Sequence, residues 1–118
     1  MIIDKDLRKM IESSNLALST SDKKGNPHCI AVGDVRVVSE IELLIGDNYM
    51  KNTIENIKGN HHVCLVVWDK VGMGYRIEGL ASYFKDGRWL TQVKEIHRGC
   101  PAKGAILVKV TEIERLAG

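Results

Sequence analysis

Two short stretches of this sequence carry the residue types and spacing that binding chemistry requires. The first is Gly46-Asp47-Asn48-Tyr49-Met50-Lys51-Asn52-Thr53, where β-rich sequence gives way to helical periodicity. A helix N-terminus presents unpaired N–H groups and the positive end of the helix dipole, an arrangement suited to a phosphate. Lys51 adds a positive charge, and Asn52 and Thr53 add neutral donors. A plain helix start, capped by Asn48 with Lys51 in solvent, accounts for the same residues. The second stretch is Ile30-Ala31-Val32-Gly33-Asp34. Small residues within a strand let a planar ring approach the backbone, and Asp34 can bond a polar edge. A β-bulge that bends the strand explains the glycine equally well, and the two readings are compatible.

Other reactive residues lack the partners their chemistry needs. His61 and His62 are adjacent in a strand-like segment, so they point to opposite faces and cannot share one metal ion. A Cys–His nucleophile requires His28 or His97 beside a thiol, and no orienting acid has suitable spacing. Cys64 lies in the most apolar run and reads as core. Trp68 and Tyr75 flank a glycine-containing loop and suit either a pocket wall or ordinary packing. Aromatic residues make up only 5% of the chain and do not alternate with Lys or Arg, which argues against an oligonucleotide-binding barrel.

The elements that position these stretches follow from hydrophobic periodicity. Asp4 or Asp6 can cap a helix through Leu7, Met10 and Ile11 that ends near Ser13-Ser14-Asn15. Leu16, Leu18 and Thr20 alternate as a strand, and Asp22 to Pro27 supplies turn chemistry. His28 to Val38 reads as one strand with Gly33-Asp34 in its middle. A tight turn at Ser39-Glu40 leads into Ile41 to Ile45. Met50, Thr53, Ile54 and Ile57 line a helix that reaches about Lys58 and stops at Gly59-Asn60. Val63 to Trp68, continuously apolar, reads as a strand buried on both faces. After a loop from Asp69 to Gly74, residues 75–83 alternate as another strand. Trp89, Leu90, Val93, Ile96 and His97 repeat at helical spacing up to a break at Gly99-Cys100-Pro101. In the last strand, Ile106, Val108, Val110 and Ile113 share an inner face only if a bulge intervenes. The sum is a mainly β chain of six strands and short helices, which fits a closed or split antiparallel barrel.

Composition bounds the class. The 118 residues suit one domain spanning 1–118, with 44% hydrophobic and 27% charged residues and a formal net charge of +2. No run of five like charges suggests a nucleic-acid tail or a membrane patch. No apolar run approaches the ~20 residues of a membrane span, and the N-terminus has no secretory pattern. The three cysteines are odd in number and widely separated, which points to a reduced, cytoplasmic setting.

From Leu16 to Ile113 the chain resembles the FMN-binding split-barrel family, which includes the pyridoxamine-phosphate-oxidase-like proteins. The resemblance rests on Leu16 to Thr20, Gly25-Asn26-Pro27-His28, Val32 to Val38, Asp47 to Ile57, Val63 to Trp68 and Gly74 to Gly79, which occur in the expected order. It implies a six-stranded antiparallel split β-barrel that forms a homodimer, with FMN in two grooves at the interface and a role in oxidoreduction or electron transfer. It implies a phosphate site at Lys51, Asn52 and Thr53, ring contacts from Ile30, Ala31, Val32, Gly33 and Asp34, and a loop of Gly46, Asp47, Asn48 and Tyr49 beside the cofactor. Many relatives carry Lys-Thr where this chain has Asn52-Thr53, so Lys51 is expected to supply the charge. Some carry an aromatic residue near the position of Pro101. The basic phosphate motif of true pyridoxamine-phosphate oxidases is missing, so that activity is not expected. No catalytic acid or base, electron donor, acceptor or organic substrate is implied. Two alternatives keep the fold: a deazaflavin-dependent oxidoreductase, and a non-catalytic barrel for ligand binding or protein interaction.

Overall fold

A computed structural model describes residues 2–96 and 101–116. Helix α1 (Lys5–Ser13) begins where Asp4 accepts a hydrogen bond from the Leu7 N–H at 2.9 Å, and it buries Leu7 and Ile11. Strand β1 (Leu16–Ser21) follows, with Leu16, Leu18 and Thr20 inward. The turn into β2 (Pro27–Val32) is organised by Asp22, whose Oδ1 accepts from the N–H groups of Lys24 and Asn26, while Gly25 takes a φ of 88°.

The expected single strand from His28 to Val38 divides here. β2 ends at Val32, the chain turns through Gly33, Asp34 and Val35, and β3 (Arg36–Ser39) starts afresh. Asp34 has a φ of 54°, a left-handed conformation incompatible with a continuing ladder. The sheet therefore has seven antiparallel strands, not six. The others are β4 (Glu42–Asp47), β5 (His62–Trp68), β6 (Gly74–Phe84) and β7 (Gly104–Arg115). Helix α2 (Asn52–Gly59) lies between β4 and β5, and α3 (Arg88–Ile96) between β6 and β7. The expected extension of α3 to His97 and its break at Gly99-Cys100 fall outside the described residues. Pro101 is described and is not helical.

The strand order β2-β1-β5-β6-β7-β4-β3 puts β2 and β3 at opposite edges. A flat seven-stranded sheet would separate those edges by ~29 Å, at ~4.8 Å per strand. The connection from Val32 to Arg36 reaches at most ~15 Å, at ~3.8 Å per residue. The sheet must curl until its edges meet, which makes a barrel with its split at this corner. The interior holds Leu18, Leu43, Ile45, Leu65, Val67, Ile77, Ile106 and Val108, all essentially inaccessible. On the outside of β4 and β7, Leu44, Val93, Ala102 and Ala105 form a smaller cluster under α3.

The bulge anticipated in the last strand is present. Glu78 pairs with Glu112 and Gly79 with Val110, which leaves Thr111 as the extra residue and lets Ile113 rejoin the core face. Burial of β5 on both faces is not observed. Val63, Leu65 and Val67 point inward, whereas Cys64 and Val66 face outward and are half-buried. A sheet closed on itself has one interior, so a continuously apolar strand still alternates. Cys64 is therefore not core; its partial burial, followed by the nearby Glu78 charge, pushes its thiol pKa up. Among the described residues no helix is long and apolar enough to cross a membrane.

Candidate functional site

The split corner of the barrel and the start of α2 enclose a cleft of about 530 Å³, within the range typical of small-molecule sites. One wall is the end of β2 and its exit, with Ile30, Ala31, Val32, Gly33 and Asp34. The other wall is the β4–α2 connection, with Gly46, Asn48, Tyr49, Lys51, Asn52 and Thr53. Residues separated by some twenty positions in sequence meet because β2 closes the barrel beside the loop leaving β4. His28 and Met50 also line the cleft. His28 shares strand parity with Ile30 and Val32, and that period of two was the available signal for it.

Asp47 is the exception. It does not line this cleft and is 0% exposed. Its Oδ1 accepts from the Met50 N–H at 2.8 Å and its Oδ2 from the Tyr83 hydroxyl at 2.6 Å. Its backbone carbonyl accepts from the Lys103 N–H at 2.9 Å. Asp47 thus fixes the shape of the β4–α2 loop from behind. Burial, and then the Asp47 hydrogen bond and charge, push the Tyr83 pKa up to about 12.

The start of α2 differs from a plainly capped helix. The residue at the cap position is Lys51, and its side chain makes no capping hydrogen bond. Asn48 is therefore not the cap. Thr53 is only 2% exposed and lines the cleft at the start of α2. A hydroxyl set in a cleft wall at a helix start can donate to an acceptor held there. Lys51 is exposed and has no ion pair among the described residues. Phosphate oxygens match all three features.

The two glycines act differently from one another. A Cβ on Gly33 would lie 3.1 Å from Asn15 Oδ1, so that glycine is constrained by its neighbour α1–β1 segment. A Cβ on Gly46 would lie 2.9 Å from Val93 Cγ1, so Gly46 admits the close packing of α3. Ala31, by contrast, is exposed and faces the cleft. Tyr49, 83% exposed, stands at the rim. Among the described residues no group of three or more His, Cys, Asp or Glu side chains is placed to hold a metal ion.

A family model described as pyridoxamine 5'-phosphate oxidase matches residues 3–116. The uncharacterized protein MJ0282 of Methanocaldococcus jannaschii is 30% identical over 120 residues, covering 97% of this chain and 80% of that protein. The structure is similar to that of Group A Streptococcus HupZ, with a TM-score of 0.86 and 22% identity over 98% of this chain and 99% of the other. It is also similar to an FMN-binding protein from Syntrophomonas wolfei subsp. wolfei, with a TM-score of 0.81 and 17% identity over 98% of this chain and 90% of the other. At these identities the structural likenesses establish a shared fold.

Proposed function

Since the chain belongs to the pyridoxamine 5'-phosphate oxidase family, we propose that its cleft binds FMN and that it serves as a flavin-dependent oxidoreductase or electron-transfer protein. The observation that carries this reading is the single cleft that sets Lys51 and Thr53, at the start of α2, opposite Ile30 to Asp34 at the end of β2. In this reading Thr53 and the first-turn N–H groups bind the terminal phosphate, and Lys51 supplies the charge. Asn52, Asn48 and Tyr49 flank it along the loop. Ile30, Ala31 and Val32 give a low wall for the flavin ring, and Gly33 and Asp34 turn the backbone around its edge. Bound FMN would supply one- or two-electron transfer, while the protein orients the ring and tunes its potential. Residues 1–118 then form one flavin-binding domain.

We assign a homodimer to the same reading. Ala17 pairs with Ala31 and with Val66, and Ser19 with Cys29 and with Cys64, so these side chains share the outer face of β2, β1 and β5. The patch is small-sided and at most half-buried, and it runs directly into the Ala31 wall of the cleft. A second copy seated there completes the site.

The absorption spectrum of the purified protein tests the cofactor. A yellow protein that releases FMN on heating, identified by mass, is the expected result. A deazaflavin band would replace FMN in this account. Colourless protein that gains no thermal stability from added FMN would refute it and favour a barrel used for binding alone.

A further inference from the structure

A second cleft, of about 430 Å³, lies on the opposite flank of the α2 start and gathers positive charge. Lys51 and Lys58 reach it from α2, Lys85 from the end of β6 and Lys103 from the approach to β7. Positions 51, 55 and 58 share one side of the helix, which is why Glu55 also lines it. Its two carboxylates, Glu55 and Asp47, leave an excess of two positive charges, the formal net charge of the whole chain. Asp47 is already committed to Met50 and Tyr83, and none of the four lysines makes an ion pair among the described residues.

The cleft has a fixed floor. Tyr83 is anchored through its hydroxyl to buried Asp47, and the Lys58 ammonium lies 5.7 Å from the centroid of the Tyr83 ring. Lysines from three separate parts of the chain line one concave surface, and their excess of positive charge favours an anion there. We propose that this lysine cleft is a second binding site, distinct from the flavin cleft, for a small organic ligand carrying a diphosphate group. Lys58, Lys85 and Lys103 contact the diphosphate. Lys51 stands between the two clefts, so occupancy of one electrostatically favours or opposes occupancy of the other through a single side chain.

Inorganic pyrophosphate and ADP titrated calorimetrically into protein saturated with FMN test the site, because the first cleft is then filled. Both should bind saturably at one site per chain, more weakly as salt rises. The double variant Lys85→Ala/Lys103→Ala should lose at least tenfold in affinity for both, with FMN affinity unchanged. No saturable pyrophosphate binding, or binding unaffected by the double variant, would overturn the proposal. Binding of pyrophosphate with exclusion of ADP would overturn its organic-ligand part. The same titration on protein that takes no FMN keeps this test separate from the flavin reading.

Discussion

Asp47 uses both carboxylate oxygens inside the protein, so this acidic side chain, the most deeply buried among the described residues, serves the loop and not the flavin cleft. Removing its Tyr83 partner leaves it one donor short in a dry environment, which typically costs about 1–3 kcal/mol. Tyr83→Phe should therefore lower stability by that order in urea unfolding at pH 8. The Tyr83 pKa is raised on folding to about 12, so the neutral phenol is the form the fold favours. Its contribution is fully present below the unfolded value near 10 and is lost as pH rises through about 12. The stability gap between parent and Tyr83→Phe should shrink across that window; a constant gap would contradict the assignment. Ala31 offers the complementary case. Ala31→Phe adds bulk on a cleft wall, so FMN affinity should fall at least tenfold, as read by flavin fluorescence titration; an unchanged affinity would remove Ala31 from the site. Gly33 gives a poorer probe of ring space, because its Cβ direction leads to Asn15. Sequence singled out Gly33, and the family resemblance the loop that contains Asp47, but neither told which neighbour each residue faces. That depends on contacts with Asn15 and Tyr83, residues 18 and 36 positions away, which no local pattern encodes.

Among the elements, those with a strict period were legible. Helix α1, the β1 alternation and the α2 apolar face follow from residue spacing, and the odd step from Val110 to Ile113 required the bulge that Thr111 supplies. Two elements were not. Val63 to Trp68 is apolar at every position, so composition could not distinguish its inner face from its outer one. His28 to Val38 kept β propensity throughout, while the break depends on the left-handed backbone at Asp34. That conformation predicts its own mutational signature. Asp34→Val should cost about 1–2 kcal/mol, since a β-branched residue resists positive φ, whereas Asp34→Gly should cost markedly less. Equal losses in denaturant unfolding would place the cost in the Asp34 side chain rather than in the backbone.

At the scale of the whole molecule, seven strands curl because a three-residue connection joins the two edges of one sheet. The same closure brings the end of β2 against the start of α2, so the fold itself creates the cleft. In the proposed assembly the chain should elute at about twice its 13.2 kDa mass, and a strictly monomeric FMN-bound species would count against the dimer. The central claim concerns the phosphate at the start of α2, and one comparison tests it most directly. FMN and riboflavin share ring and ribityl chain and differ only in the terminal phosphate. Their dissociation constants should be measured by flavin fluorescence quenching for the parent protein, Thr53→Val and Thr53→Ser. Charge-assisted hydrogen bonds contribute about 1.5–3 kcal/mol each, so the parent should prefer FMN by at least tenfold. Thr53→Val should weaken FMN by a similar factor with riboflavin unchanged, and Thr53→Ser should restore it. Equal affinity of the parent for the two flavins would contradict the account.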